Sequence, residues 1–442
     1  MTEVESSSSL RQGGAGMNEH WLYSWIDEFE IKSGDQASHL LALPGPAEKL
    51  HEAATNIPKW HAGDAPKGRS IVAGSTMDFS GRMNCSHAEC LMRQVDRLFG
   101  RVWHYFDSAV VEGPQADFYI RWLENRPSRQ GAFALNYSIT QDVDFLLHLR
   151  RLGIADHLIF RPKPHGFCTR HIEQHAAEAG ISHLIGEDVR AQIAKQLKSE
   201  SEILIRQSSG TRWRYNVTHP SSSEPFTGSF VSTKKKAKKP TKAQIAEIVV
   251  KRSVASLIYD VATCKWLSLP LAEEFSYLQA SQQVANAARE SAVAFQLPMP
   301  VMNGMTSGDI VKMRADMRPH FDRFQHALTL AIREQIERDP ERANPDIVKS
   351  VTEEFIRPAF ADIERSLLEA KRSFSVKVGT SMAVGSTVAT VGLLSSVPLV
   401  IGAGLAAVGV TLGGLHKHVD DRKEITTSDV YFLWKASKGR LP

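Results

Sequence analysis

Thirty-eight consecutive residues near the C-terminal end, Val378 to Leu415, carry no charge, and eight of them are glycine. No other stretch of the chain is so apolar. Such a run must be buried inside a helical domain or placed in a bilayer. Ser395-Ser396-Val397-Pro398 interrupts it and leaves two arms of 17 residues, Val378 to Leu394 and Leu399 to Leu415. Each arm sits at the short end of the roughly 17–25 residues that cross a bilayer, so the pattern predicts a helical hairpin. Small residues recur at the spacing that lets helix backbones approach closely: Ser381, Gly385 and Ala389, then Gly402 and Ala406, then Gly409 and Gly413, with Gly392 closing the first arm.

Arg365, Lys371, Arg372 and Lys377 precede the hairpin, and Lys417, Arg422 and Lys423 follow it. Basic residues at both ends keep both on the cytoplasmic side, which a hairpin satisfies and a single span does not. The hydroxyls of Thr380, Ser381, Ser386, Thr387, Thr390 and Thr411 make each arm less hydrophobic than a leucine-rich span. The hairpin therefore reads as a conditional element, sheltered by a helical bundle and inserted on release. A membrane-active form implies an oligomer.

A chain of 442 residues suggests about two or three domains. With 42% hydrophobic and 23% charged residues it has ordinary globular composition. The net charge of +4 argues against a general polyanion partner and makes any basic surface local. Cys85, Cys90, Cys168 and Cys264 are too scattered for a disulfide scaffold. MTEVESSSSLRQGGAG lacks the basic and apolar regions of a secretory signal. These features predict a cytoplasmic protein, peripheral to the inner membrane or conditionally inserted in it.

The chain divides as a partly disordered segment at 1–36, an α/β domain at 37–218, a Ser/Pro/Lys-rich linker at 219–242, a helical bundle at 243–377, the hairpin at 378–415 and a tail at 416–442. In the α/β region SHLLAL, SIVAGSTM, SAVVEG, GAFALNYS, DHLIF and SHLIG read as strands, separated by helices near 86–105, 141–152 and 168–179. This alternation predicts a mostly parallel sheet, open and doubly wound or closed as a small barrel. ILIRQ and TRWRYNVT form a hairpin about Ser208-Ser209-Gly210. Thr241 caps a helix running to about Ser268, and Asp309 to Glu337 and Asp346 to Phe374 form amphipathic segments kinked by Pro319 and Pro358.

Lys234, Lys235, Lys236, Lys238 and Lys239 in the linker can hold an anionic membrane surface or a nucleic-acid backbone. Arg212, Trp213, Arg214 and Tyr215 on one strand can stack bases.

Parallel sheets place ligands at the carboxyl ends of their strands. The candidate catalytic residues there are Asp78 after SIVAGSTM, Glu112 near the end of SAVVEG and Lys163 after DHLIF, with Asn136, Arg161 and His165 as polar neighbours. Zinc accepts thiolate and imidazole ligands. Cys85, His87 and Cys90 in NCSHAEC, and His165, Cys168, His171 and His175 in KPHGFCTRHIEQH, supply both. A helix starting near Cys168 puts Cys168, His171 and His175 on one face. HIEQH carries Glu173 away from the place of a metalloprotease general base.

His87-Ala88-Glu89 resembles the H-x-E of zinc deaminases, and Pro164-His165-Gly166-Phe167-Cys168 resembles their P-C-x-x-C with histidine for the first cysteine. The resemblance implies zinc on His87, His165 and Cys168, with Glu89 shuttling protons to a metal-activated water. Phosphate-loop, dinucleotide-binding and nucleophile-elbow motifs are absent from the sequence.

Three functions are compatible with this reading. The first is a cytoplasmic two-part effector, an α/β sensing or catalytic head joined to a helical domain with a conditionally membrane-active hairpin, an architecture that suits a toxin or antiviral defence. The second is a soluble metal-dependent hydrolase or zinc deaminase-like enzyme with a buried hairpin. The third is a non-enzymatic interaction protein.

Overall fold

The computed structural model describes residues 20–57, 66, 68–74, 77, 79–80, 85–124, 129–161, 169–220, 225–232, 238–272, 289–297, 305–359 and 361. The 378–415 hairpin and the 416–442 tail lie outside them. The chain divides into two compact units, one of Met1–Phe295 with Asn303–Val311, the other of Gln296–Met302 with Lys312–Pro442.

The first unit opens with three helices, α1 (Leu22–Glu28), α2 (Gly34–Leu40) and α3 (Pro44–Thr55). Strand β1 (Ser70–Ala73) leads to α4 (Ala88–Val102), and β2 (Ser108–Glu112) leads to α5 (Ala116–Glu124) and α6 (Arg129–Arg151). Then come β3 (Leu158–Arg161), α7 (Thr169–Ala179) and α8 (Glu187–Glu200). An antiparallel meander follows, β4 (Glu202–Ser209), β5 (Arg212–Thr218) and β6 (Phe226–Val231), and after it α9 (Lys242–Leu267), β7 (Leu271–Ala272) and α10 (Arg289–Gln296).

A four-stranded, all-parallel sheet runs in the order β3-β2-β1-β7, with helices around it. The expected α/β region is present. Three of the runs read as strands are helical instead. SHLLAL starts in the last turn of α2 and ends in the turn after it, and the start of α2 is set by the Ser33 hydroxyl accepting from the Gln36 N–H. GAFALNYS lies in α6, where Leu135, Ile139, Val143, Leu146 and Leu149 are buried at helical spacing and Phe133 and Asn136 are exposed. Ser182–Ile185 is a single 3-10 turn. Within the segment expected to be partly disordered, Leu22, Tyr23, Trp25 and Ile26 of α1 are core residues.

Helix α9 organises the unit. Thr241 and Gln244 form a reciprocal capping box at its start, as the sequence predicts. Thirteen of its residues are buried, spread around the helix, the pattern of an element enclosed on several sides. It packs against α7, α8, β1, β4 and β7. One core therefore joins Val72, Val110 and Ile159 of the parallel sheet to Ile203, Tyr215, Val217 and Phe226 of the meander. The α/β unit thus continues past residue 218, because the 219–242 stretch supplies β6 and the residues after 243 supply α9 and β7.

The described part of the second unit is helical, and α11 (Ser307–Asp316) begins in residues of the first unit and ends in residues of the second. The segment from Asp309 breaks at Met317, where α11 ends and α12 (Arg318–Arg338) begins with Pro319 in its first turn, a break in place of the expected kink. α13 (Asn344–Ser350) continues into a π-helical turn at Val351–Ile356, and Glu354 there accepts from Gln335 and Arg338 of α12. Among the described residues no helix is long and apolar enough to cross a membrane.

Close approach of α2 to α6 yields a test. A Cβ on Gly34 would lie 2.1 Å from the Thr140 carbonyl oxygen, whereas one on Gly45 would meet nothing within 4 Å. Gly34→Ala is expected to lower the stability of the first unit by about 1–3 kcal/mol or more, and Gly45→Ala to leave it within about 0.5 kcal/mol. Urea unfolding of the two variants checks the contrast.

Candidate functional site

Strands β2 and β3 end in register on two charges, Glu112 beside Arg161. Both side chains point to the α9 face, as Val110 and Ile159 do two residues earlier. Arg161 Nη2 donates to Glu112 Oε1 at 3.3 Å and also to Asp260 Oδ1 of α9. The Tyr259 ring lies 4.8 Å from the guanidinium carbon. The three charged side chains are 1%, 2% and 0% exposed. Burial works to strip the Arg161 proton, but Asp260 and then Glu112 overcome it and hold its pKa above the ordinary value. Burial pushes the Tyr259 hydroxyl up to about 12, and burial with Asp260 raises the Cys264 thiol. Glu112 therefore lies at a strand end, as expected, but in an enclosed ion cluster that ties two strands to a helix.

The opposite face of the same strand ends is closed by aromatic residues. A Cβ on Gly113 would sit 2.7 Å from His20 and from Phe160, so glycine lets the His20 ring lie over the end of β2. The Leu22 N–H donates to His20 Nδ1, and His20 Nε2 donates to the Pro114 carbonyl, which also accepts from Trp21 Nε1. These partners require the neutral Nε2–H tautomer. Burial lowers the His20 pKa to about 3. Trp21 packs on Tyr119, whose hydroxyl donates to Asp142. Burial raises the Asp142 carboxyl to about 7 against the opposing effect of that hydrogen bond.

The remaining expected residues divide by position. His87 is the residue before α4, and Glu89 is exposed in its first turn. His171 is exposed on α7. Asp78, Lys163, His165 and Cys168 lie outside the described residues, as do Lys234, Lys235 and Lys236. Among the described residues no three His, Cys, Asp or Glu side chains come together to hold a metal ion. Strand β2 separates β1 from β3, so the ends of those two strands stand roughly 9–10 Å apart, two strand spacings. The His20 ring lies over Gly113, at the end of β2.

A different edge is suited to a ligand. The chain moves from β1 outward to β2 and β3, then returns through α9 to β7 on the other flank of β1. That reversal puts the topological switch point between β1 and β7, the place where open parallel sheets bind ligands. There the Gly74 N–H donates to the Ala272 carbonyl at 2.7 Å, Met77 N–H closes a turn onto Gly74, and Phe79 N–H crosses to the Glu112 carbonyl. Asp78 falls between the last two in sequence. The residues missed in the sequence were Asp260, Asp142 and His20. Asp260 had a signal, as the one acid in the apolar run SVASLIYDVATC.

No protein-family model, curated protein or solved structure matches the chain.

Two measurements follow from the buried charges. Arg161→Met strands two carboxylates in the core and is expected to cost about 3–5 kcal/mol in urea unfolding. Between its ordinary 3.8 and about 7, Asp142 keeps a proton in the folded state that the unfolded chain has lost, so its contribution to stability falls as pH rises. Between about 3 and 6.5 the unfolded chain holds a proton that folded His20 rejects, so that contribution rises with pH. The two oppose each other between about pH 4 and 6.5. Relative to wild type, Asp142→Asn is therefore expected to gain about 1.4 kcal/mol of stability per pH unit across that window.

Proposed function

We propose that the chain is a two-part effector. Its α/β head takes a small polar ligand at the β1/β7 edge of the parallel sheet, and its helical part carries a 378–415 hairpin that enters a membrane when released. The observation that supports the head is the reversal of strand order beside β1. In sequence, β1 is followed by Gly74-Ser75-Thr76-Met77-Asp78, whose hydroxyls and carboxylate are of the kind that suits a small polar ligand. Asp78 is accordingly favoured over Glu112 as a ligand-contacting group, since Glu112 is engaged with Arg161 in an enclosed cluster. The uncharged arms and basic flanks of the hairpin support the membrane part. Toxic or defensive action fits a protein that stays harmless until a ligand arrives.

The test is dye release from vesicles containing anionic lipid, with and without the small-molecule fraction of a cell extract. Wild type is expected to float with the vesicles and release dye, at least under one of these conditions. Gly385→Leu and Gly409→Leu, which interrupt the small-residue spacing of the two arms, are expected to release far less. Asp78→Ala is expected to lose the dependence on extract while keeping the hairpin competent. A wild-type protein that neither floats nor leaks in any condition sinks the proposal. Stoichiometric zinc in purified wild type, lost in His165→Ala and Cys168→Ala, would favour the metal-enzyme reading in its place.

A further inference from the structure

The meander presents one face to α9 and the other to solvent, and the two faces differ sharply in chemistry. Tyr215, Val217 and Phe226 point inward. Gly228 stands opposite Tyr215 and leaves room for its hydroxyl, which accepts from Arg252. Outward point Arg212, Arg214 and Asn216 of β5, with Arg206 of β4 directly opposite Arg214. Like charges facing each other across a strand pair destabilise a sheet. Among the described residues no carboxylate pairs with any of the three arginines, and all three are exposed. They line a groove of about 700 Å³ together with Leu204, Ser209 and Asn216.

The surrounding sequence repeats the imbalance. From Glu202 to Ala246 nine lysines and arginines meet two acids, Glu202 and Glu224, although the whole chain carries a net charge of only +4. Three exposed guanidinium groups on a strand pair, with no carboxylate beside them, can take up an anion, and arginine favours phosphate because its planar fork binds two oxygens. Arg212 and Arg214 are about 7 Å apart along β5, and Arg206 is about 5 Å across from Arg214. That footprint matches consecutive phosphates on one strand. A groove also admits a single strand in a way that it does not admit a flat lipid surface. The ring-bearing residues of the meander fall on or toward the inner face, so the outer face offers charge and hydrogen bonds without a stacking platform.

We infer that the outer face of the β4-β5-β6 meander binds single-stranded nucleic acid through its phosphate backbone, with Arg206, Arg212 and Arg214 as the contacts and with no base preference. This inference is independent of the ligand and membrane proposals above. The experiment is fluorescence anisotropy of labelled single-stranded oligonucleotides, of homopolymeric and mixed sequence, with the full chain across a salt series. Wild type is expected to bind all sequences alike. Each lost phosphate contact lowers the slope of log K against log salt by about 0.7 for single strands. Arg206→Ala/Arg212→Ala/Arg214→Ala is thus expected to reduce the slope by about 2, with a thermal midpoint no lower than wild type, because all three side chains are exposed and Arg206 faces Arg214 across the strand pair. A second variant replaces the lysines at 234, 235, 236, 238 and 239 with alanine, and it is expected to retain the arginine-dependent part of the slope.

An unchanged slope in the triple arginine variant would overturn the inference, since binding would then lie with the lysines. Failure of wild type to bind any oligonucleotide at low salt would overturn it as well. Binding of phosphatidylserine vesicles in that case would assign the basic charge to a membrane.

Discussion

The interior of the α/β unit depends on how one negative charge is accommodated. Asp260 sits on a helix whose neighbouring residues are apolar and buried, and it is fully enclosed itself. An isolated carboxylate there costs several kcal/mol, so α9 can dock only where a cation meets it. Arg161 at the end of β3 is that cation, and Glu112 at the end of β2 holds it from the other side. Sliding α9 by one turn would move Asp260 about 5.4 Å and break the pairing. The net strength of such a cluster is small, because desolvation offsets attraction. Its effect lies in register: it fixes where α9 crosses the sheet, and with it the position of β7, the switch point and the meander that packs on the far side of α9.

How much of this was legible follows from what each element spends its side chains on. The strands β1, β2 and β3 were readable because they are short apolar runs bounded by Gly, Asp or Pro, the pattern of strands buried on both faces. The end of α9 near Ser268 and its Thr241 cap were readable from local chemistry alone. The run GAFALNYS was not, since eight residues are too few to separate a period of two from one of 3.6; only the continuation through Ile139, Val143 and Leu146 shows the helix. Strand β7 has two residues and carries no periodic signal. Its pairing with β1 is a tertiary result of where α9 ends, so the expected boundary at 218 fell inside the unit.

The site was legible in a similar, partial way. Strand-end logic placed Glu112 and Arg161 at the ends of their strands, but their pairing and burial could not be read, because both depend on α9, which comes about a hundred residues later in the chain. His20 and Trp21 illustrate the same limit. They belong to a segment whose Ser- and Gly-rich start suggested disorder, yet they supply the ring that covers Gly113. Around the deaminase-like pattern only the helix starts were legible: α4 opens directly after His87, and α7 begins at Thr169. What local pattern cannot convey is strand order: β2 lies between β1 and β3, and a shared metal would require both segments to reach across it.

Alternation along β5 decides what the meander can do for a partner. In RWRYNV the two arginines and the asparagine share one face, and Trp213, Tyr215 and Val217 share the other. Either set can be turned toward α9, but not both. Turning the arginines inward would bury two unpaired cations beside the apolar faces of Ile245 and Val249, at a cost of several kcal/mol each. The aromatic set therefore goes inward, where its large apolar area is buried against α9. The stacking role that the sequence allows for Trp213 and Tyr215 is lost by the same step that frees Arg212 and Arg214. A register slip of one residue would reverse every side chain. The opposition of Arg206 to Arg214 is thus tolerated as the alternative with the lower cost, and the charge it leaves on the surface is available to an anionic partner.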